Sequence, residues 1–126
     1  MNKMIKTLTA ACSFLLLISL FSACKNTDAS VVKIFVRSAS NQLLDGAQVV
    51  IVGDVNSTPS TSAYVDTVFT NTSGFALFNM DSFFTNAGES NSTGYFDIIV
   101  KKNGAEGAEY IRARAHITTV ETVFLN

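Results

Sequence analysis

The sequence predicts an all-β fold, a sandwich of seven short strands, and three observations carry that prediction. Beyond residue 30 the chain is rich in Ser, Thr, Asn, Val and Phe, with the β-branched and aromatic residues gathered in short runs. Gly or Asn stands between those runs, as turns between strands require. After the N-terminal segment, no stretch places apolar residues at helical spacing for three turns.

The strands are read over 31–37, 47–53, 64–70, 75–80, 95–102, 108–115 and 117–125. In the first, Val32, Ile34 and Val36 fall on one side of the pleat, and in the fourth Ala76, Phe78 and Met80 do so; both sets are expected in the core. Gly46 and Gly74 sit where the chain reverses and positive φ is needed. Two long loops are expected: 54–63, which holds the only Pro, and 81–94, whose Phe83 and Phe84 are expected to fold back on the core. If the fifth and sixth strands form a hairpin with Phe96, Ile98 and Val100 beside Ala115, Ala113 and Ile111, then Asp97 faces Arg114 and Lys102 faces Glu109. Each opposite-charge pair would contribute about 0.2–1 kcal/mol. That arrangement puts Tyr95, Ile99, Lys101, Tyr110 and Arg112 on the outer face, where aromatic and cationic groups can stack on a sugar ring or hold an acidic group.

Residues 1–23 have the build of an export signal: Lys3 and Lys6, then an uncharged apolar run of about twelve residues, Ala10 to Phe21. A helix crossing ~30 Å of hydrocarbon needs roughly 20 such residues. The run ends in Leu20-Phe21-Ser22-Ala23-Cys24, which resembles the lipobox of bacterial lipoproteins, with Phe21 where Leu is usual. The resemblance implies cleavage before Cys24, acylation of its thiol and an anchor in the membrane; several acyl chains together hold firmly where one is marginal. Lys25 follows, where Asp in enteric lipoproteins favours inner-membrane retention, so the implied location is the outer membrane. Cys12 leaves with the signal, and the mature chain then has no thiol for a disulfide.

The chain of 126 residues has a net charge of -1 and 48% hydrophobic residues. All ten acidic residues lie beyond Cys24 and two of the nine basic ones lie before it, so seven basic and ten acidic residues remain in the mature chain. An acidic domain of this kind lacks the basic excess that nucleic acid demands, and no nucleic-acid partner is expected. The expected organisation is a signal peptide over 1–23, a lipidated Cys24 with a polar tether over 24–30, and a β-sandwich over 31–126.

Residues 36–51, VRSASNQLLDGAQVVI, resemble the opening of the carboxypeptidase regulatory-like domain, with Leu44, Gly46, Ala47, Val49 and Ile51 at the matching positions. Thr70-Asn71-Thr72-Ser73-Gly74, followed by Ala76 and Phe78, resembles that family's Thr-Asp-x-x-Gly turn and next strand, and 95–100 (YFDIIV) is a third, weaker match. Asp45 stands where Pro is frequent, and after Lys102 the match is one of strand count alone. The resemblance implies a transthyretin-like, Greek-key sandwich preceded by a helical signal peptide, of a type usually appended to peptidases or outer-membrane transporters. An immunoglobulin-like sandwich satisfies the same strand count and stays open at this point.

Little in the chain suits catalysis or metal binding. His116, the only histidine, reads as a strand-edge residue and cannot alone build a zinc site. There is no Gly-x-Ser-x-Gly elbow, and Asp45, Asp54, Asp66, Asp81 and Asp97 are scattered without a calcium-loop pattern. The sequons Asn56-Ser57-Thr58, Asn71-Thr72-Ser73 and Asn91-Ser92-Thr93 read as turn composition. Transthyretin-like hydrolases and dioxygenases use several His, which this chain lacks. The expectation is therefore no catalytic residue, no cofactor and no metal. The chain is expected to be a non-enzymatic envelope lipoprotein binding an envelope protein or glycan, with Tyr95, Tyr110, Arg112 and Lys101 as candidate contact residues and Cys24 as the lipid site. A small Ser/Thr hydrolase and a structural or adhesin subunit joined through open sheet edges are the other two readings.

Overall fold

The computed structural model describes residues 24–126; the helical export signal expected over 1–23 lies outside the described residues. Among those described, seven strands form: β1 (Val31–Ser38), β2 (Gln48–Gly53), β3 (Val65–Phe69), β4 (Phe75–Asn79), β5 (Thr93–Lys102), β6 (Ala105–Arg114) and β7 (Thr118–Leu125). They make two sheets, β4-β1-β7 and β3-β2-β5-β6. Neighbours run antiparallel except β1 and β7, which are parallel from Val31↔Thr118 to Ser38↔Leu125. The molecule is an all-β sandwich, as the patterning predicts. Because β1 and β2 lie in different sheets, the order is not that of an immunoglobulin domain, whose first two strands share one.

Alternation along each strand builds the core. Val32, Ile34, Val36, Ala76 and Phe78 point inward from one sheet, and Val49, Ile51, Phe96, Ile98 and Val100 from the other, all buried. Sheets packed face to face lie about 10 Å apart, so these two rows interdigitate. Fully burying each large side chain stabilises by roughly 1.5–3 kcal/mol. On one side β6 and β7 close the sandwich: Gly107 leaves no room for a Cβ against the Phe124 carbonyl, and the Asn126 N–H donates to the Glu106 carbonyl at 3.2 Å.

The loops after β1 and β3 are tied together by Thr70. Its buried hydroxyl donates to the Leu44 carbonyl at 2.6 Å and accepts the Ala47 N–H at 2.8 Å. Gly74 has φ +76°, and a Cβ there would lie 2.7 Å from that of Leu43, so both conformation and space select glycine.

Two local expectations need correction. The segment after β4 is not all loop: Asp81–Ala87 forms a short helix, α1, that buries Phe83 and Phe84. At seven residues it makes about two turns, too few to show a periodicity. Its start is organised by side chains, with the Asp81 N–H donating to Asn79 Oδ1 at 2.9 Å. Phe83 then packs edge-on against Tyr64, Phe84 and Phe96 at 5.1–5.3 Å between centroids, closing one end of the core.

The β5–β6 register differs by four residues from the expected one, with Phe96↔Ile111 and Asp97↔Tyr110. The turn decides it. Asn103 and Gly104 have φ +49° and +82°, the two-residue reversal that Asn-Gly favours because its twist matches the strands. β6 therefore begins at Ala105, and the pairs Asp97–Arg114 and Lys102–Glu109 do not form. A shift by an even number keeps every side chain on its face, so Phe96, Ile98, Ile111 and Ala113 are buried as expected. His116, which the expected sixth and seventh strands leave between them, lies at φ +60° in the turn between β6 and β7.

Candidate functional site

The outer face of the four-stranded sheet brings together residues from all of its strands. β5 contributes Tyr95, Asp97, Ile99 and Lys101; β6 opposes them with Arg112, Tyr110, Ala108 and Glu106. On the far side, Val50 and Val52 of β2 lie beside Ile99 and Asp97, and Thr67 and Val65 of β3 extend the row to the edge. Apolar side chains are exposed across this face, with the exposed Asp97 among them. Val65 is 67% exposed, Phe69 61% and Tyr110 53%, with Ile99 also exposed.

All four residues expected as contacts lie on this face, but not as one cluster. Tyr95 pairs directly with Arg112, and its ring lies 6.1 Å from that of Tyr110 at an interplanar angle of 17°. Lys101 is six residues further along β5, about 20 Å away. There it pairs with Glu106, Nζ to Oε1 2.9 Å, beside a shallow cavity of about 340 Å³ that Gln48 and Phe69 also line. The face thus has an aromatic end and a charged end, with an aliphatic stretch between.

The aromatic end is set by the loop between β2 and β3. Asp54 follows β2, and its N–H donates to the Tyr95 carbonyl at 2.9 Å. Ser57 donates to the Asp54 carbonyl at 2.7 Å, and Thr61, which is buried, accepts the Tyr95 N–H at 2.8 Å. The loop is in this way stitched to the start of β5. One Asp54 carboxylate oxygen accepts the Asn56 N–H at 3.0 Å, and the other accepts the Tyr110 hydroxyl at 2.8 Å. That hydrogen bond, with partial desolvation and the negative charge beside it, pushes the Tyr110 phenol up to about 12. Tyr110 is a neutral donor held in one orientation.

The residues missing from the sequence reading are Val50, Val52, Val65 and Phe69, with Asp54 behind Tyr110. A signal for Val50 and Val52 was present: the second strand is apolar at every position from 49 to 52, more than one buried face requires; Val65 and Phe69 lie on β3, outside that run. Nothing local marks Asp54, whose partner is 56 residues away.

Cys24 is exposed at the start of the described residues. Among the described residues no three His, Cys, Asp or Glu side chains gather as metal ligands, and no helix is long and apolar enough to cross a membrane. The Asn-rich turns hold themselves: Asn71 Oδ1 accepts the Ser73 N–H at 3.0 Å, and Asn91 Nδ2 donates to the Ala87 carbonyl at 2.8 Å.

No protein-family model matches the chain, and no curated protein matches it. Among solved structures, a chain described as the Bacillus anthracis TIE protein superposes on 78% of this one, with a TM-score of 0.50 and 14% sequence identity. The chain spans 16% of that protein's length. At this identity the likeness is one of fold, and the fold shared is the β-sandwich.

Proposed function

We propose that this chain is a non-catalytic lipoprotein of the Gram-negative outer membrane: a transthyretin-like, carboxypeptidase regulatory-like sandwich, anchored by acylated Cys24, that binds an envelope protein or glycan. The observation that carries the binding reading is the apolar surface spread over the four-stranded face, with Val65 and Phe69 exposed on β3, Ile99 on β5 and Tyr110 on β6 around Asp97. Contiguous apolar surface rimmed by polar groups is what contact sites offer. The strand order, the Thr70 hydroxyl joining two loops and the positive-φ Gly74 support the family reading. The lipobox-like Leu20-Phe21-Ser22-Ala23-Cys24 supports the anchor.

Two edge strands support a module over a polymerising subunit. The Thr67 N–H of β3 donates to the carboxylate of its neighbour Asp66 at 2.8 Å, and the Thr122 N–H of β7 to that of Glu121 at 3.1 Å. A charged group seated on an edge amide obstructs strand addition.

In-cell cross-linking of the full chain, followed by identification of what is attached, tests the reading. Phe69→Asp with Ile99→Asp should abolish the captured species, since a central interface residue is worth about 2 kcal/mol or more. Leu77→Asp with Val120→Asp, on the other sheet, should leave it. Equal capture by both doubles, or labelling by a fluorophosphonate, would overturn it.

A further inference from the structure

Residues 25–30, which read in the sequence as a spacer, lie against one end of the sandwich and are held by three separate parts of the fold. Asn26 Nδ2 donates to the His116 carbonyl at 3.2 Å, and the His116 ring, as its Nδ1–H tautomer, donates to the Asp28 carbonyl at 2.9 Å. The His116 N–H donates to Ser30 Oγ at 2.8 Å, and the Ser30 N–H to Asp81 Oδ1 of α1 at 2.7 Å. Lys25 Nζ lies 3.5 Å from Glu89 Oε1. The segment borders a cavity of about 860 Å³ whose other walls include Phe84, Thr85, Ser92 and Ala115.

Reach decides the consequence. Seven free residues extend to at most ~24 Å. With Asn26 held, only Lys25 separates Cys24 from the body, two Cα–Cα steps, and the reach falls to ~7 Å.

We propose that 25–30 is a strap that seats the sandwich on a lipid surface by this end, with the strap, the segment after α1 and the His116 turn facing the bilayer. The proposal rests on the reading of Cys24 as acylated. The exposed Ile117 belongs to this end, as does Lys25, whose charge is paired with Glu89; an aliphatic group suits the headgroup region. β5 leaves this end at Thr93, so Tyr95 stands near the bilayer and Lys101 about 20 Å further out. The four-stranded face then stands upright and meets partners held in the same membrane.

The test uses the full chain, produced in a Gram-negative host, purified from membranes and reconstituted in phosphatidylethanolamine–phosphatidylglycerol vesicles containing brominated lipid. Mass spectrometry first reads acylation of Cys24. A fluorophore at Ser90→Cys, exposed in the segment after α1, should be quenched by the bromolipid and one at Asp45→Cys, at the opposite end, should not. Asn26→Ala with His116→Gly removes two strap contacts while keeping the positive φ, and should erase the difference with β-sheet circular dichroism retained. Equal quenching at both sites in the acylated, unaltered strap overturns the seating. An unacylated Cys24 overturns the lipoprotein reading instead; the strap is then judged by amide exchange, and fast exchange at Ser30 and His116 in the unsubstituted protein would sink it.

Discussion

The two outer faces of this sandwich both expose apolar side chains, Leu77, Val120 and Phe124 on one and Val65, Phe69, Ile99 and Tyr110 on the other, and place charge differently. On the three-stranded sheet, the central strand β1 carries Lys33, whose ammonium lies 4.1 Å from the Phe75 ring centroid and 4.9 Å from that of Phe35. The two rings meet edge-on at 5.6 Å, and the ammonium lies over both as a cation–π contact. On the four-stranded sheet the central strands carry Val50, Val52 and Ile99, with the exposed Asp97 between Val52 and Tyr110, and further charges are paired toward the ends: Asp54 bonded to Tyr110, Lys101 to Glu106. On one face Lys33 lies over two rings, whereas on the other Val65, Phe69 and Ile99 stay open between the charges. This contrast is why the binding reading falls on one sheet.

The largest effects should show that the two inner faces, unlike the outer ones, are equivalent. Phe78→Ala removes a core ring from the three-stranded sheet and Phe96→Ala one from the four-stranded sheet. Each should cost about 3–5 kcal/mol in urea denaturation, and a large inequality would mean that the sheets share the core unevenly.

At the aromatic end of the open face, Tyr110 should titrate near 12 by tyrosinate absorbance, against an ordinary 10.0. Its neutral form is favoured in the folded state, so its contribution to stability is complete below pH 10 and is lost as pH rises through 12. Asp54→Asn should bring the phenol back toward its ordinary value. The smallest effect belongs to the covered face: Lys33→Ala should cost about 0.5–1 kcal/mol and raise binding of an apolar dye. If the dye signal is unchanged, Lys33 is not what closes that sheet.

Most of the fold was legible because its signals are local. Period-two alternation marked Val32, Ile34, Val36, Ala76 and Phe78 as core, and each is buried. The hairpin register was misread because weak charge pairing was weighed while the Asn103-Gly104 turn, the stronger signal, was not. The contact face was half legible. Its β5–β6 part follows from one hairpin, but its β2–β3 part depends on which strands become neighbours, and α1 is too short to carry a pattern.

By itself, then, the sequence determined an all-β chain, its inward-facing residues and the positions of its tight turns, since all of these are decided by neighbours a few residues apart. The tertiary structure alone decided that β1 pairs with β7 and β2 with β5, and thereby assembled the open apolar face. It also brought Asp54 to Tyr110 and His116 to residues 26–30. Those choices rest on burying two sheets against each other, a requirement that strand spacing does not encode, and on single hydrogen bonds across 56 to 90 residues that leave no periodic trace.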